Sequence, residues 1–348
     1  MKAALTDGKG KVWLDDIPMP ELSDYECLCR IDACATCTGT DKKLITGQMS
    51  WAKPEHYPVV LGHESVGTVI KTGKCVRNIA IGERFLRPAA WYNGLKKHGI
   101  TSFMGGFAEY GIVTDLQALA EDHPEITPEY YCNYQQKIPA DLEISDCDAT
   151  MLITLKEIYS FIRDIGIKAG DKVVVLGAGA VGTSMCFFSK LAGAKVAVAA
   201  RRKSQLDNVK KVGADLTVNI QETPLAETLK KWSKSGITHI LDGAGSAEML
   251  ISASAALADD GAICSYAGNK GFAENFGQLQ TPVYWKLLVS PPKEATAHDH
   301  LISLARMKII PFHAFYSDVL PLEDITIGFD KIFAKQAEKT VFTMHKSK

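Results

Sequence analysis

The chain has 348 residues, which at about 150 residues per domain predicts two domains. Its 39 Lys and Arg residues nearly cancel 40 Asp and Glu residues, leaving a formal charge of −1 among 46% apolar and 23% charged residues. A nucleic-acid or anionic-membrane partner needs a basic surplus, so neither is expected. The longest apolar stretches, such as Lys172 to Met185, are broken by glycine and polar residues well short of the roughly 20 needed to cross a bilayer. Met1 to Lys11 has no apolar segment or cleavage pattern of a secretory leader, so the mature protein is expected to begin there. Nine cysteines, an odd number scattered from Cys27 to Cys264, suit reduced thiols in the cytoplasm, some of them metal ligands, better than disulfide staples.

The first 150 residues or so read as β-rich. Val12 to Leu14, Glu26 to Ile31, Ser65 to Lys71 and Phe107 to Val113 are short, partly alternating runs separated by Gly, Pro and Asp turns. An antiparallel barrel or sandwich is expected there. Leu116 to Lys137 is polar and aromatic with no clean period, and predicts a surface excursion or a short helix.

From Lys168 the texture changes. Lys172 to Leu176 reads as a strand buried on both faces of a parallel sheet, followed by an amphipathic helix over Val181 to Leu191. Further strands are predicted at Lys195 to Ala199, Leu216 to Asn219, His239 to Leu241 and Ala262 to Tyr266. Helices between them are predicted at Ser204 to Val212, Leu225 to Ser233 and Ala247 to Leu257. Repeated β-α units of this length imply a doubly wound α/β sheet with right-handed crossovers. The chain then closes with a helix-like Leu322 to Lys335 and a strand-like Lys339 to Met344.

Gly177-Ala178-Gly179-Ala180-Val181-Gly182 stands between a predicted strand and a predicted helix, the context in which GxGxxG binds a dinucleotide. Gly177 suits a tight turn, Gly179 close approach of a pyrophosphate to the backbone, and Gly182 close packing of helix on strand, with Ala180 and Val181 opening the helix. The following strand lacks the Asp or Glu that would accept from a ribose 2′-hydroxyl. It ends at Ala200, before Arg201, Arg202 and Lys203. A cationic cluster there suits a 2′-phosphate, so NADP(H) is the expected cofactor. A solvated basic turn is the alternative.

In the N-terminal half, Gly62-His63-Glu64-Ser65-Val66-Gly67 precedes Gly73, and Cys34-Ala35-Thr36-Cys37-Thr38-Gly39-Thr40-Asp41 lies upstream. With the late GxGxxG and the C-terminal return, these motifs resemble, over essentially the full length, the zinc-dependent alcohol dehydrogenases of the medium-chain dehydrogenase/reductase superfamily. The likeness is to their polyol or sorbitol dehydrogenase branch. The resemblance implies a discontinuous GroES-like β-barrel catalytic domain at 1–154 and 290–348, and a Rossmann NADP(H)-binding domain at 155–289. It also implies a catalytic cleft between the two and a homodimer or homotetramer. By the same resemblance, His63 is a ligand of one catalytic Zn²⁺, Glu64 coordinates it or sits close by, Thr40 relays the substrate proton and Asp41 supports the site.

Two departures bear on the zinc. Anchoring on Thr40-Asp41 puts Thr38 at the thiolate position, whereas anchoring on the upstream strand puts Cys37 there with one inserted residue. Cys37 is preferred, because a loop absorbs one residue more easily than a site loses its soft ligand. Where polyol-type relatives carry a ligating Glu followed by Pro, this chain has Ile153 and Thr154. Glu157, one helical turn on, or Glu64 is the candidate third ligand, and an empty site is the alternative. Arg84 to Tyr110 contains no cysteine, so no structural zinc is expected. Lys43 stands where many relatives have a relay histidine. Trp51 and Trp91 are either pocket walls or core aromatics.

The expected activity is hydride transfer between NADP(H) and a secondary alcohol, polyol or sugar and its ketone or aldehyde. Two alternatives stay open: a metal-free reductase of activated C=C or quinone substrates, and a non-catalytic nucleotide-binding redox sensor.

Overall fold

In the computed structural model, which describes residues 1–91, 96–128, 130–266 and 275–345, the chain divides into two units. One comprises Met1–Thr154 with His298–Lys348, and the other Leu155–Ala297. Among the described residues, no helix is long and apolar enough to cross a membrane.

The first unit is organised by the ten-residue strand Glu26–Ala35. Its alternation buries Cys27, Cys29 and Ile31 and leaves Arg30 exposed, as a strand with one face on a core requires. It pairs antiparallel with Glu64–Thr72, Tyr110–Thr114 and Thr340–Thr343, at the centre of a seven-stranded sheet that also holds Arg84–Leu86, Lys137–Ile138 and Asp318–Pro321. A second sheet of five strands runs in the order Val12–Asp16, Lys2–Thr6, Val59–Val60, Ile100–Ser102, Lys96–Lys97. The core of this unit gathers Ile31, Leu61, Phe107, Phe329 and Phe342, with the Phe107 ring edge-on to both other rings.

Phe107 to Val113 therefore splits. Phe107 is a core residue ahead of the strand Tyr110–Thr114. The stretch from Leu116 holds a short helix, Leu116–Asp122, capped by the Asp115 carboxylate, which accepts from the Ala118 N–H. Its far end is no surface excursion, because Cys132 is buried against Ala89 and Ile112.

The second unit carries a six-stranded, wholly parallel sheet in the order Leu216–Asn219, Lys195–Ala200, Lys172–Leu176, Ile237–Asp242, Leu257–Ser265, Lys286–Val289. The order reverses beside Lys172–Leu176, so the crevice at its carboxyl end is the expected ligand position of a doubly wound sheet. Val173 to Leu176 are fully buried, each side chain contributing about 1.5–3 kcal/mol by leaving water.

Several element boundaries differ from the sequence reading, most of all after Ala247. The helix from Ala247 ends at Ser254, and Leu257 already belongs to a nine-residue strand. Asp260 takes a left-handed φ of 61° inside that strand, an irregularity the ladder absorbs. The second unit runs from Leu155 to Ala297. Its last residues are tied to the helix Asp146–Asp164: the Lys293 N–H donates to Ser160 Oγ at 2.9 Å, and Arg163 Nη2 to Thr296 Oγ1 at 2.9 Å.

Candidate functional site

Gly62 turns the chain into the strand Glu64–Thr72 with φ 91°, and a Cβ there would lie 2.5 Å from the Phe107 N–H nitrogen. Only glycine fits this approach. The turn delivers His63 and Glu64, both buried. The loop after Glu26–Ala35 delivers Cys37, whose N–H donates to Asp41 Oδ2 at 2.8 Å while its carbonyl accepts from the Asp41 N–H at 2.9 Å. Cys37, His63 and Glu64 thereby each offer one ligand atom, all within 4.8 Å of one another.

A sulfur, an imidazole nitrogen and a carboxylate oxygen form a zinc donor set. His63 Nδ1 faces Asp41 Oδ1 at 3.7 Å and Nε2 faces Glu64 at 4.0 Å. Asp41 Oδ1 is buried with no hydrogen-bond partner of its own. A carboxylate behind one ring nitrogen, leaving the other to an ion, is the usual support of a metal-bound histidine. Burial alone would pull the His63 pKa down, but the Cys37 sulfur and the Asp41 carboxylate outweigh it and hold the imidazole well above its ordinary range.

Glu64 has further partners. Lys339 Nζ pairs with its Oε2, both side chains being 3% exposed, and the Thr154 hydroxyl donates to Oε1 at 2.9 Å. Lys339 Nζ also donates to Thr154 Oγ1 at 3.0 Å. The departure at Thr154 is thus filled by a hydroxyl that grips the carboxylate, while Ile153 is buried as an apolar core residue. The sequence reading missed Lys339, since nothing in Glu338-Lys339-Thr340 distinguishes a buried lysine from a solvated one.

Thr40 opens the short helix Thr40–Ile45 and is half-buried. Thr38 is exposed, its hydroxyl directed to the Glu338 carbonyl at 3.4 Å, and Lys43 is exposed. Glu157 belongs to the second unit, where the Tyr266 hydroxyl donates to it at 3.1 Å. Trp91 is buried among Ala3, Leu5 and Val60, whereas Trp51 is 41% exposed and edge-on to Phe103, with ring centroids 4.5 Å apart.

In the second unit, the glycine loop lies between Lys172–Leu176 and the helix Ala180–Leu191. Gly177 has φ 99°. A Cβ on Gly182 would fall 2.0 Å from the Gly177 carbonyl oxygen, and one on Gly179 would meet only Gln205 Nε2 at 3.9 Å. Gly182 therefore seats the helix, and Gly179 leaves space above the loop. Gly179 is the N-cap and supplies no capping side chain, so the first N–H groups, with Ala180 and Val181 in that turn, suit an anion. Lys195–Ala200 ends at the buried Ala200, Arg202 caps the helix Lys203–Lys211, and Arg201 and Lys203 are exposed. Three cations at a helix N-terminus oppose its dipole.

Residues 23–121 match the family described as alcohol dehydrogenase GroES-like domain, and residues 180–283 the family described as zinc-binding dehydrogenase. Sorbitol dehydrogenase of Bombyx mori is 28% identical over 221 residues, 61% of this chain and 60% of that protein, so the match spans less than two thirds of that relative's length. A protein of Agrobacterium fabrum described as a D-xylulose reductase is 26% identical over 360 residues, 98% of this chain and 97% of that one. A zinc-binding dehydrogenase of Sinorhizobium meliloti, solved bound to NADP, superposes with a TM-score of 0.76 at 22% identity, covering 99% of each chain.

Proposed function

Since the chain belongs to the zinc-dependent alcohol dehydrogenase family of the medium-chain dehydrogenase/reductase superfamily, in its polyol-like branch, we propose that it oxidises and reduces small alcohols and carbonyl compounds with NADP(H). The substrate class is a secondary alcohol, polyol or sugar and its ketone or aldehyde. The observation that carries the reading is the convergence of Cys37, His63 and Glu64 on one point, with Asp41 behind the imidazole.

The chemistry such a site would supply, once loaded, is polarisation of the substrate oxygen by zinc and hydride exchange with a nicotinamide. Cys37 and His63 would hold the ion with Glu64 as third ligand, while Asp41 stands behind the imidazole and holds the Cys37 N–H. The Thr40 hydroxyl takes the substrate proton on oxidation and returns it on reduction. Gly179, Ala180 and Val181 would receive the pyrophosphate, with Gly177 making the turn and Gly182 seating the helix, and Arg201, Arg202 and Lys203 would receive the 2′-phosphate. A cytoplasmic homodimer or homotetramer is part of the proposal. The nine cysteines are all free thiols, and the edge strand Lys286–Val289 exposes Leu287 and Val289 beside Val283 and Tyr284, a surface a second subunit would cover.

A metal-free reductase has one observation in its favour: Lys339 and Thr154 already satisfy Glu64. Metal analysis of protein purified without chelator separates the two. Close to one equivalent of zinc, with turnover lost in chelator, supports the dehydrogenase. Less than about half an equivalent, with turnover retained, overturns it. A Cys37→Ser, His63→Ala double variant should bind NADPH normally and lose turnover, whereas unchanged turnover would reject the site.

A further inference from the structure

The carbonyl of His63 is held from outside the metal cluster. Arg87 Nη1 donates to it at 2.7 Å, and the Tyr131 hydroxyl at 3.4 Å. Arg87 is buried, and its guanidinium carbon lies 5.8 Å from the ring centroids of both Tyr131 and Tyr134. The arginine backbone is fixed as well. Its N–H donates to the Ser65 carbonyl at 2.7 Å, its own carbonyl accepts from Gln135 Nε2 at 3.1 Å, and its φ is 61°. A left-handed φ at a non-glycine residue persists only where the surroundings over-determine it.

The two ligands His63 and Glu64 are consecutive, so the plane of the peptide between them sets where one side chain points relative to the other. The carbonyl of that peptide is the atom Arg87 grips. A guanidinium suits the task because its planar face packs on aromatic rings while its edge donates in a fixed direction.

We propose that Arg87 is a positioning residue for the metal: packed beside the neighbouring rings of Tyr131 and Tyr134, it fixes the His63–Glu64 peptide and with it the spacing of the two ligand atoms a divalent zinc-like ion requires. The inference rests on the zinc reading above and adds a role for the segment from Tyr130 to Gln135, which that reading leaves unused.

The test is metal affinity rather than turnover, measured by chelator competition for Zn²⁺ and by the visible absorption bands of the Co²⁺-substituted protein, alongside thermal unfolding. Arg87→Met should weaken Zn²⁺ binding about 10–100-fold, the range typical of lost outer support, and shift the cobalt bands. Arg87→Lys keeps a charged donor and should recover part of that loss. Tyr131→Phe removes the longer bond to the His63 carbonyl and should cost about threefold. Tyr134→Leu keeps the Arg87 and Tyr131 bonds to the His63 carbonyl but removes one of the two rings beside the guanidinium, and should weaken binding by an intermediate factor. It serves if Arg87→Met does not fold. Wild-type affinity and cobalt bands in Arg87→Met, or in Tyr134→Leu if the former is unfolded, would overturn the proposal and reduce Arg87 to a packing residue. Wild-type protein that takes up neither metal overturns the zinc reading itself, and the inference with it, which is a separate result.

Discussion

Lys339 Nζ and the Glu64 carboxylate form an ion pair in which both side chains are 3% exposed. Removing one partner of such a pair leaves an uncompensated buried charge, at a cost of about 3–5 kcal/mol. Lys339→Met should therefore destabilise the metal-free protein by about that amount. Added zinc should return a larger share of the loss than the stabilisation it gives wild type, because Glu64 then has only the metal as counter-charge. Denaturant midpoints with and without zinc measure this. Equal zinc stabilisation of the two proteins would show that Glu64 does not reach the ion.

His63 yields a pH dependence. The Cys37 sulfur and the Asp41 carboxylate raise its pKa well above 6.5 against the pull of burial. In the metal-free protein the imidazolium's contribution to stability is complete below about pH 6.5 and is lost as the pH rises through the raised folded value. Zinc must displace the same proton, so its dissociation constant should rise as the pH falls. Melting temperatures of metal-free wild type should decline across that range, while those of His63→Ala should decline less. Parallel curves would remove His63 as the source.

Arg201 and Arg202 stand where a carboxylate would select NADH. A charge-assisted hydrogen bond contributes about 1.5–3 kcal/mol. The Arg201→Ala, Arg202→Ala double variant should thus lose about tenfold to a hundredfold in NADPH affinity and little in NADH affinity. Fluorescence titration of both cofactors decides it, and an equal loss for the two would contradict the 2′-phosphate assignment.

Lys156 and Glu294 form a second buried pair, 3.0 Å apart within the Leu155–Ala297 unit, at 0% and 1% exposure. Lys156→Met alone should cost about 3–5 kcal/mol, and the Lys156→Met, Glu294→Leu double variant should recover most of it. Chemical denaturation of the three proteins gives the coupling. A double variant no more stable than the single would indicate that the cost lies in packing.

What could be read from the sequence follows the range of the contacts involved. The glycine loop and its helix were legible because Gly177 to Gly182 are contiguous and their demands are local. The alternation of Glu26 to Ile31 likewise announced its own strand. The cluster of Cys37, His63 and Glu64 was legible through a recognisable order of motifs rather than through spacing. What surrounds Glu64 was not. Thr154 reaches it across 90 residues and Lys339 reaches Thr154 across 185, and neither residue type says that it will be buried. Arg87 was hidden for the same reason, since a buried arginine is visible only when the rings that pack beside it are in place. Glu157 obeyed the helical spacing that suggested it, yet its partner is Tyr266.

The strand Thr340–Thr343 completes the sheet around Glu26–Ala35 by pairing with Ala33 to Ala35. During synthesis these partners are separated by nearly the whole chain, including every residue of the Leu155–Ala297 unit. The second unit can reach its final pairing while the ribosome is still at work, whereas the first must wait with an open strand edge and a Glu64 that lacks its ammonium. Such a waiting edge is a template for wrong partners. Truncation just before Lys339 should accordingly yield a chain whose Leu155–Ala297 unit is folded and whose N-terminal half aggregates.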